Sequence, residues 1–200
     1  SHFLRSIKSV GQELPELITT VDVGNELGEG VVWNEQTESV WWTDIEQSRL
    51  FEYHYGSGKL ESWETVHRVG CFGFIENDDR LIVAFDCGIA FLDLANGDVD
   101  WIYGPAVLSD GLRFNDGKVD PFGRFWAGTM VEDPEVAKVA GSLFSIYPRQ
   151  APVEHISNIT TSNGLCWSPD GLVMYHADSP KRTIWSYQYD PIKNLLADKR

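Results

Sequence analysis

Three cysteines in 200 residues are too few, and odd in number, for the disulfide framework of a small secreted domain. Cys71, Cys87 and Cys166 therefore read as free thiols. No apolar run approaches the length of about twenty residues that crosses a bilayer. The opening residues, Ser1-His2-Phe3-Leu4-Arg5, carry no apolar signal-peptide core. Positive charge is scarce: 16 Lys and Arg stand against 30 Asp and Glu, a net charge of −14. Such a surface repels nucleic-acid phosphates and anionic lipid headgroups, so no nucleic-acid or membrane partner is expected. Familiar hydrolytic devices are missing too, since there is no G-x-S-x-G elbow, no H-E-x-x-H and no glycine-rich phosphate loop. His54, His67, His155 and His176 fall in or beside strand-like runs at no metal-ligand spacing, which points to packing or surface roles. The expectation is a soluble, reduced, cytoplasmic protein.

What the sequence does hold is aromatic residues and turns. Eight Trp, seven Tyr and ten Phe, with 18 Gly, favour strands and tight connections. Four segments share one layout. The first runs from Trp33 through SVWWTD, RLFEYHY, a GSGK turn and LESWE; the second from Ile75 through LIVAFD, GIAFLDL, an ANGD turn and VDWIY. The third runs from Val119 through FWAGTM, GSLFSIY, a PRQ turn and APVEHI; the fourth from Trp167 through VMYHADS, TIWSYQYD, a PIKN turn and LLADKR. Their start points lie 42, 44 and 48 residues apart. Periods of this size, made of consecutive short strands, predict an all-β propeller with one blade per repeat. A single β-sandwich would not explain four copies in register.

The stretch before each start point is expected to be a blade's innermost strand. Four residues back from each start point lie Glu29, Cys71, Asn115 and Asn163. Blades stack radially, so these positions fall on one ring around the central channel. Three of the four carry oxygen donors, and glycine stands beside or near each of them (Gly30, Gly117, Gly164), where a ligand could approach closely. One carboxylate and two amides suit a divalent cation, a hard one such as Ca²⁺ or Mg²⁺ on donor chemistry, with Zn²⁺ or Mn²⁺ also possible. Cys71 reads as a small packing residue. Asn-Gly and Asn-Asp-Gly also cap turns; the register shared with a glutamate favours the ring.

At these residues the sequence resembles the regucalcin/gluconolactonase family of metal-dependent lactonases. The matching stretches are LGEGVVW (27–33), RFNDGKVDP (113–121), GRFWAGTM (123–130) and SNGL (162–165). The resemblance implies a six-bladed propeller that opens a small sugar lactone, with one divalent metal ion, Ca²⁺ or Zn²⁺ foremost. It assigns Glu29 and Asn163 to the metal, and Arg113 and Asn115 to the substrate. An acidic residue after the GTM motif also binds substrate, matched here to Asp133 with Glu132 as the near alternative. The family's remaining metal ligand, an aspartate expected to act as general base, lies in a later P-D-G motif and is expected beyond residue 200. Asp170 of Ser168-Pro169-Asp170-Gly171 reads instead as a turn residue.

A six-bladed ring needs roughly 270 residues or more, so this chain is expected to supply about four blades of one domain. Their expected bounds are 24–66, 67–108, 109–157 and 158–200, with 15–23 a strand closing the last blade. The insertion from Val131 to Ala140 is the candidate lid over the substrate. Two other readings use the same metal: a non-catalytic calcium-binding or interaction propeller, and an aryl- or phosphotriesterase. Replacing Glu29 by Gln is expected to abolish metal-dependent lactone hydrolysis.

Overall fold

Short runs of β-branched and aromatic residues, punctuated by Gly, Asn and Asp turns, form sixteen strands in a computed structural model that describes residues 16–200. Each repeat folds as a four-stranded antiparallel sheet in simple up-and-down order. Blade 1 comprises β1 (Gly28–Asn34), β2 (Ser39–Asp44), β3 (Arg49–His54) and β4 (Leu60–Glu64). Blade 2 comprises β5 (Val69–Ile75), β6 (Asp78–Phe85), β7 (Gly88–Leu92) and β8 (Val99–Tyr103). Blade 3 comprises β9 (Leu112–Val119), β10 (Phe125–Val131), β11 (Gly141–Ile146) and β12 (Val153–Ile159). Blade 4 comprises β13 (Ser162–Trp167), β14 (Val173–Asp178), β15 (Thr183–Asp190) and β16 (Leu195–Ala197). The four sheets are arranged as the blades of a β-propeller, with β1, β5, β9 and β13 as successive inner strands.

Side-chain alternation explains the stacking. In β6, Leu81, Val83 and Phe85 pack towards blade 1, against Trp41 and Leu50, together with Phe72 of their own blade. The intervening Ile82 and Ala84 pack towards blade 3, against Phe114, Phe125 and Ala127. Both faces of this strand are covered, so LIVAF is continuously apolar rather than alternating. In β10, Phe125 and Ala127 face blade 2, whereas Trp126 faces blade 4 and meets Met174 and Tyr187. Each large apolar side chain buried this way contributes on the order of 2 kcal/mol.

Polar bolts reinforce the blades. Asp120, at the end of β9, accepts hydrogen bonds from Trp126 Nε1 at 3.0 Å and from the Tyr189 hydroxyl of blade 4 at 2.8 Å. Arg124 reaches both Asp120 and Tyr189. A second device closes the blades' inner connections. Asp44, the last residue of β2, accepts from the amides of Glu26 and Leu27 at 2.8 and 3.0 Å, which ties down the entry to β1. Asp178, the last residue of β14, accepts from the amides of Thr160 and Thr161, both at 2.9 Å, at the entry to β13.

Three features bear on the expectations. Residues 16–23 form no ladder, so the strand expected at 15–23 has no partner among the described residues, and Pro15 lies outside them. Apolar side chains stay exposed on blade 1 (Val31, Trp33) and on blade 4 (Ile184, Leu195). Among the described residues no helix is long and apolar enough to cross a membrane.

Candidate functional site

The inner strands are not regular, and their bulges decide which side chains face the channel. In β1, Glu29 pairs with Thr43 and Val32 with Trp41, so Gly30 and Val31 oppose the single residue Trp42. In β13, Asn163 pairs with Ala177 and Cys166 with Tyr175, so Gly164 and Leu165 oppose His176. Gly30 and Gly164 hold the left-handed conformation such bulges need, with φ of +64° and +60°. Glu29 and Asn163, each just ahead of a bulge, line one cavity of about 190 Å³ together with Cys71 and Asp116.

β9 differs by one residue. Ala127 pairs with Gly117 and Thr129 with Phe114, so Asn115 and Asp116 themselves form the bulge opposite Gly128. Asp116 therefore lines the cavity, whereas Asn115 bonds away from it. The Asn115 Oδ1 accepts from Arg113 Nη1 at 2.9 Å, and its Nδ2 donates to the Ser162 carbonyl at 2.9 Å. Counting back a fixed number of residues finds Asn115; only the displaced bulge reveals Asp116, which the RFNDGK stretch already contained.

Cavity electrostatics follow from burial. Desolvation pushes the Asp116 carboxyl up, although the amides of Leu165, Gly117 and Gly164 oppose the shift. Glu29 is also raised, by burial first and by the Asp116 charge second, with Arg113 opposing. Two carboxylates, both raised by burial, are thus held at one cavity beside the Asn163 amide. The Cys71 thiol is pushed well up by burial and then by the Asp116 charge. The donors Glu29, Asp116 and Asn163 form an all-oxygen set that fits a hard divalent cation, whose charge would relieve the carboxylate repulsion. Among the described residues, Asn163 Oδ1 accepts only from the adjacent Gly164 amide, at 3.0 Å, and keeps a second lone pair.

Beside this cavity runs a rigid cationic arm. The buried Arg113 donates through Nε to Glu132 at 3.1 Å and through Nη1 to the Phe114 carbonyl at 3.0 Å. Glu132 also accepts a two-pronged contact from Arg68, at 2.7 and 3.0 Å, and Arg68 Nε reaches Asp86 at 3.0 Å. The hydrogen bonds from Arg68 hold the Glu132 carboxyl below its ordinary range. Asp133 takes no part in this arm. It is exposed, its Oδ1 accepts from the Glu135 amide, and its carbonyl accepts from Ala137, so it starts the turn of the 131–140 insertion. Glu132, the neighbouring alternative, is the acidic residue brought to Arg113 and Asn115. The insertion's Val139 and Ala140 line a separate cavity of about 510 Å³ between blades 2 and 3, with Leu108 and Phe144.

Asp170 lies in the β13–β14 turn, where it accepts from Ser168 Oγ and the Leu172 amide. Glu52, His54 and Glu61 cluster on the outer strands of blade 1, but Lys59 already supplies a cation to Glu61 at 2.9 Å.

Comparison with known proteins extends these observations. The family model described as the SMP-30/Gluconolactonase/LRE-like region matches residues 27–200. Regucalcin of Danio rerio is 33% identical over 178 residues, covering 88% of this chain and 59% of its own length. The 6-deoxy-6-sulfogluconolactonase of Pseudomonas putida is 33% identical over 165 residues, covering 82% of this chain and 55% of its own length. The solved structure of a calcium-binding protein, regucalcin, from Agrobacterium tumefaciens str. C58 superposes with a TM-score of 0.78 at 26% identity, covering 88% of this chain and 59% of that one. The chain thus spans somewhat over half the length of the curated relatives it matches.

Proposed function

The chain belongs to the SMP-30/gluconolactonase/LRE-like family, and from that membership we propose a divalent-metal-dependent hydrolase that opens sugar lactones. The observation that carries this reading is the juxtaposition of an oxygen-donor cavity (Glu29, Asp116, Asn163) with the fixed Arg113–Asn115–Glu132 arm. Glu29 and Asn163 would hold the ion, with Asp116 as a second anionic donor. Ca²⁺ fits this set in first place, and Zn²⁺, Mg²⁺ or Mn²⁺ can occupy such oxygens less selectively. When bound, the ion supplies polarisation of the lactone carbonyl and stabilises the negative charge that develops as water attacks.

The chain's own residues supply orientation. Arg113 is held from two sides, so it presents a guanidinium of fixed direction to sugar oxygens at little entropic cost on binding. Asn115 is the adaptable partner, because it can exchange its contact with Arg113 for one with a sugar hydroxyl. Glu132 positions Arg113 and offers a carboxylate to another hydroxyl; Asp133 stays in the reading only as a contact that would need the insertion to move. No residue of this chain is assigned as proton acceptor for the attacking water; the family resemblance implies an aspartate of a P-D-G motif for that role, and the proposed activity is that of the whole protein. Three free cysteines suit a reduced, cytoplasmic setting.

Acidification of a sugar-lactone solution by the full-length protein, with and without chelator, tests the reading. Activity lost on chelation, restored by Ca²⁺ and absent in Glu29→Gln supports it. Metal binding without any lactone hydrolysis across a panel of aldonolactones would favour the calcium-binding scaffold instead, a reading encouraged by the description of the Agrobacterium protein.

A further inference from the structure

His67, Asp86 and Cys87 stand apart from the channel site, yet the fold brings them together. The β5–β6 hairpin opens at its base, where the Asp86 amide donates to the Arg68 carbonyl at 2.8 Å. Residues flanking that rung become neighbours although they are distant in sequence. A ring nitrogen of His67, a carboxylate oxygen of Asp86 and the Cys87 sulfur lie within 4.8 Å of one another. Ligands of one tetrahedral ion sit about 3.5 Å apart, so small rotamer adjustments would close the set.

Asp86 gives an independent sign. Its Oδ2 accepts from Arg68 Nε at 3.0 Å, but its Oδ1 is buried and has no hydrogen-bond partner among the described residues. A buried carboxylate oxygen left unpaired is costly, and a cation is one way to satisfy it. Arg68 can yield its contact with Asp86, because Glu132 separately holds both of its terminal nitrogens. The His67 ring is braced edge-on against Phe85 and beside Trp101. Asp86 and Cys87 line a surface cavity of about 250 Å³, which gives an ion a way in.

We propose that His67, Asp86 and Cys87 form a second divalent-metal site, on the rim of blade 2, for a borderline-soft ion such as Zn²⁺. Nitrogen, sulfur and oxygen donors together select zinc-like ions over Ca²⁺, in contrast to the all-oxygen channel set. Three protein ligands leave the fourth position to water. Burial, and then the neighbouring Asp86 charge, raises the Cys87 thiol, so it is protonated without metal. Binding exchanges that proton for the ion, whose charge then balances the thiolate.

Co²⁺ titrated into the metal-stripped full chain tests the proposal by absorption. A thiolate-to-cobalt charge-transfer band should appear, saturate at one equivalent, and be bleached by Zn²⁺. Cys87→Ser and Cys87→Ala should both abolish the band while leaving the circular-dichroism spectrum unchanged. His67→Ala should weaken Co²⁺ binding at least about tenfold. Glu29→Gln, Cys71→Ser and Cys166→Ser should each retain the band, which separates this site from the channel donors and from the other two thiols. No band in the wild-type chain, or a band surviving in folded Cys87 variants, overturns the proposal.

Discussion

Two sets of carboxylates on this propeller have opposite surroundings. Glu29 and Asp116 face the central cavity, where burial raises both and the Asp116 charge raises Glu29 further. Asp44 and Asp178 end the second strands of blades 1 and 4. Burial alone would raise these too, but backbone amides outweigh it and hold both below their ordinary range. The same side chain is therefore a structural tie where hydrogen bonds outweigh desolvation, and stays open to a cation, as proposed for Asp116, where desolvation outweighs its amide partners. A carboxylate's place in the blade, more than its burial, decides which work it does.

The contrast can be broken in four ways, taken from the strongest effect down. Asp178→Ala removes a buried carboxylate and strips partners from the half-buried Thr160 and Thr161 amides and from Lys181, so stability should fall by about 4 kcal/mol in chemical denaturation. A loss below about 1 kcal/mol would remove Asp178 from the structural class.

Acidification comes next. His176 is fully buried, and burial lowers it from 6.5 to about 4. Its folded-state value lies below the unfolded one, so protonation favours unfolding. The stabilisation is whole above about pH 6.5 and drains away as pH falls towards 4, to a total of about 3 kcal/mol from this residue. Denaturation series at pH 7, 5.5 and 4.5 read the slope; His176→Gln should flatten it.

Asp116→Asn should weaken Ca²⁺ binding by about 10- to 100-fold in calorimetry, with little change in the metal-free protein. Unaltered affinity would return Asp116 to the role of a bulge residue. The smallest effect is the most discriminating. In metal-free protein, Glu29→Gln should change stability by no more than about 1 kcal/mol, in favour of the variant, since it removes a charge that the fold disfavours and solvent screens. A loss as large as that of Asp178→Ala would erase the distinction between the two sets.

The blade architecture was legible because each repeat restates the same sequence of strands and turns, and errors in one copy are corrected by the others. The place of Glu29 and Asn163 at one cavity was legible for the same reason, since both precede bulges at one register of β1 and β13. Asn115 and Asp116 mark where that logic stops. A bulge shifted by one residue swaps which side chain enters the cavity, and no composition or spacing announces the shift. Whether Asp133 or Glu132 meets Arg113 turned on which carboxylate the insertion uses to begin its turn, a local hydrogen-bond question hidden from a motif. The aspartates at the ends of the second strands of blades 1 and 4 were visible in SVWWTD and VMYHADS, but a terminal aspartate in a strand reads as the start of a turn until its amide partners from the preceding connection are seen. His67 and Asp86 were too far apart in sequence to be paired without knowing the hairpin base that joins them.

The Asp120–Tyr189 bolt, with Arg124 and Trp126 around it, has a consequence for how the molecule opens. Its partners come from the end of one blade's inner strand and from the third strand of the next, so neither blade can loosen without stranding a buried carboxylate or phenol. Blades 3 and 4 should therefore open as one cooperative unit. In native-state hydrogen exchange, amides of β10 and β14 should share a single opening free energy, and Tyr189→Phe should lower it for both strands together.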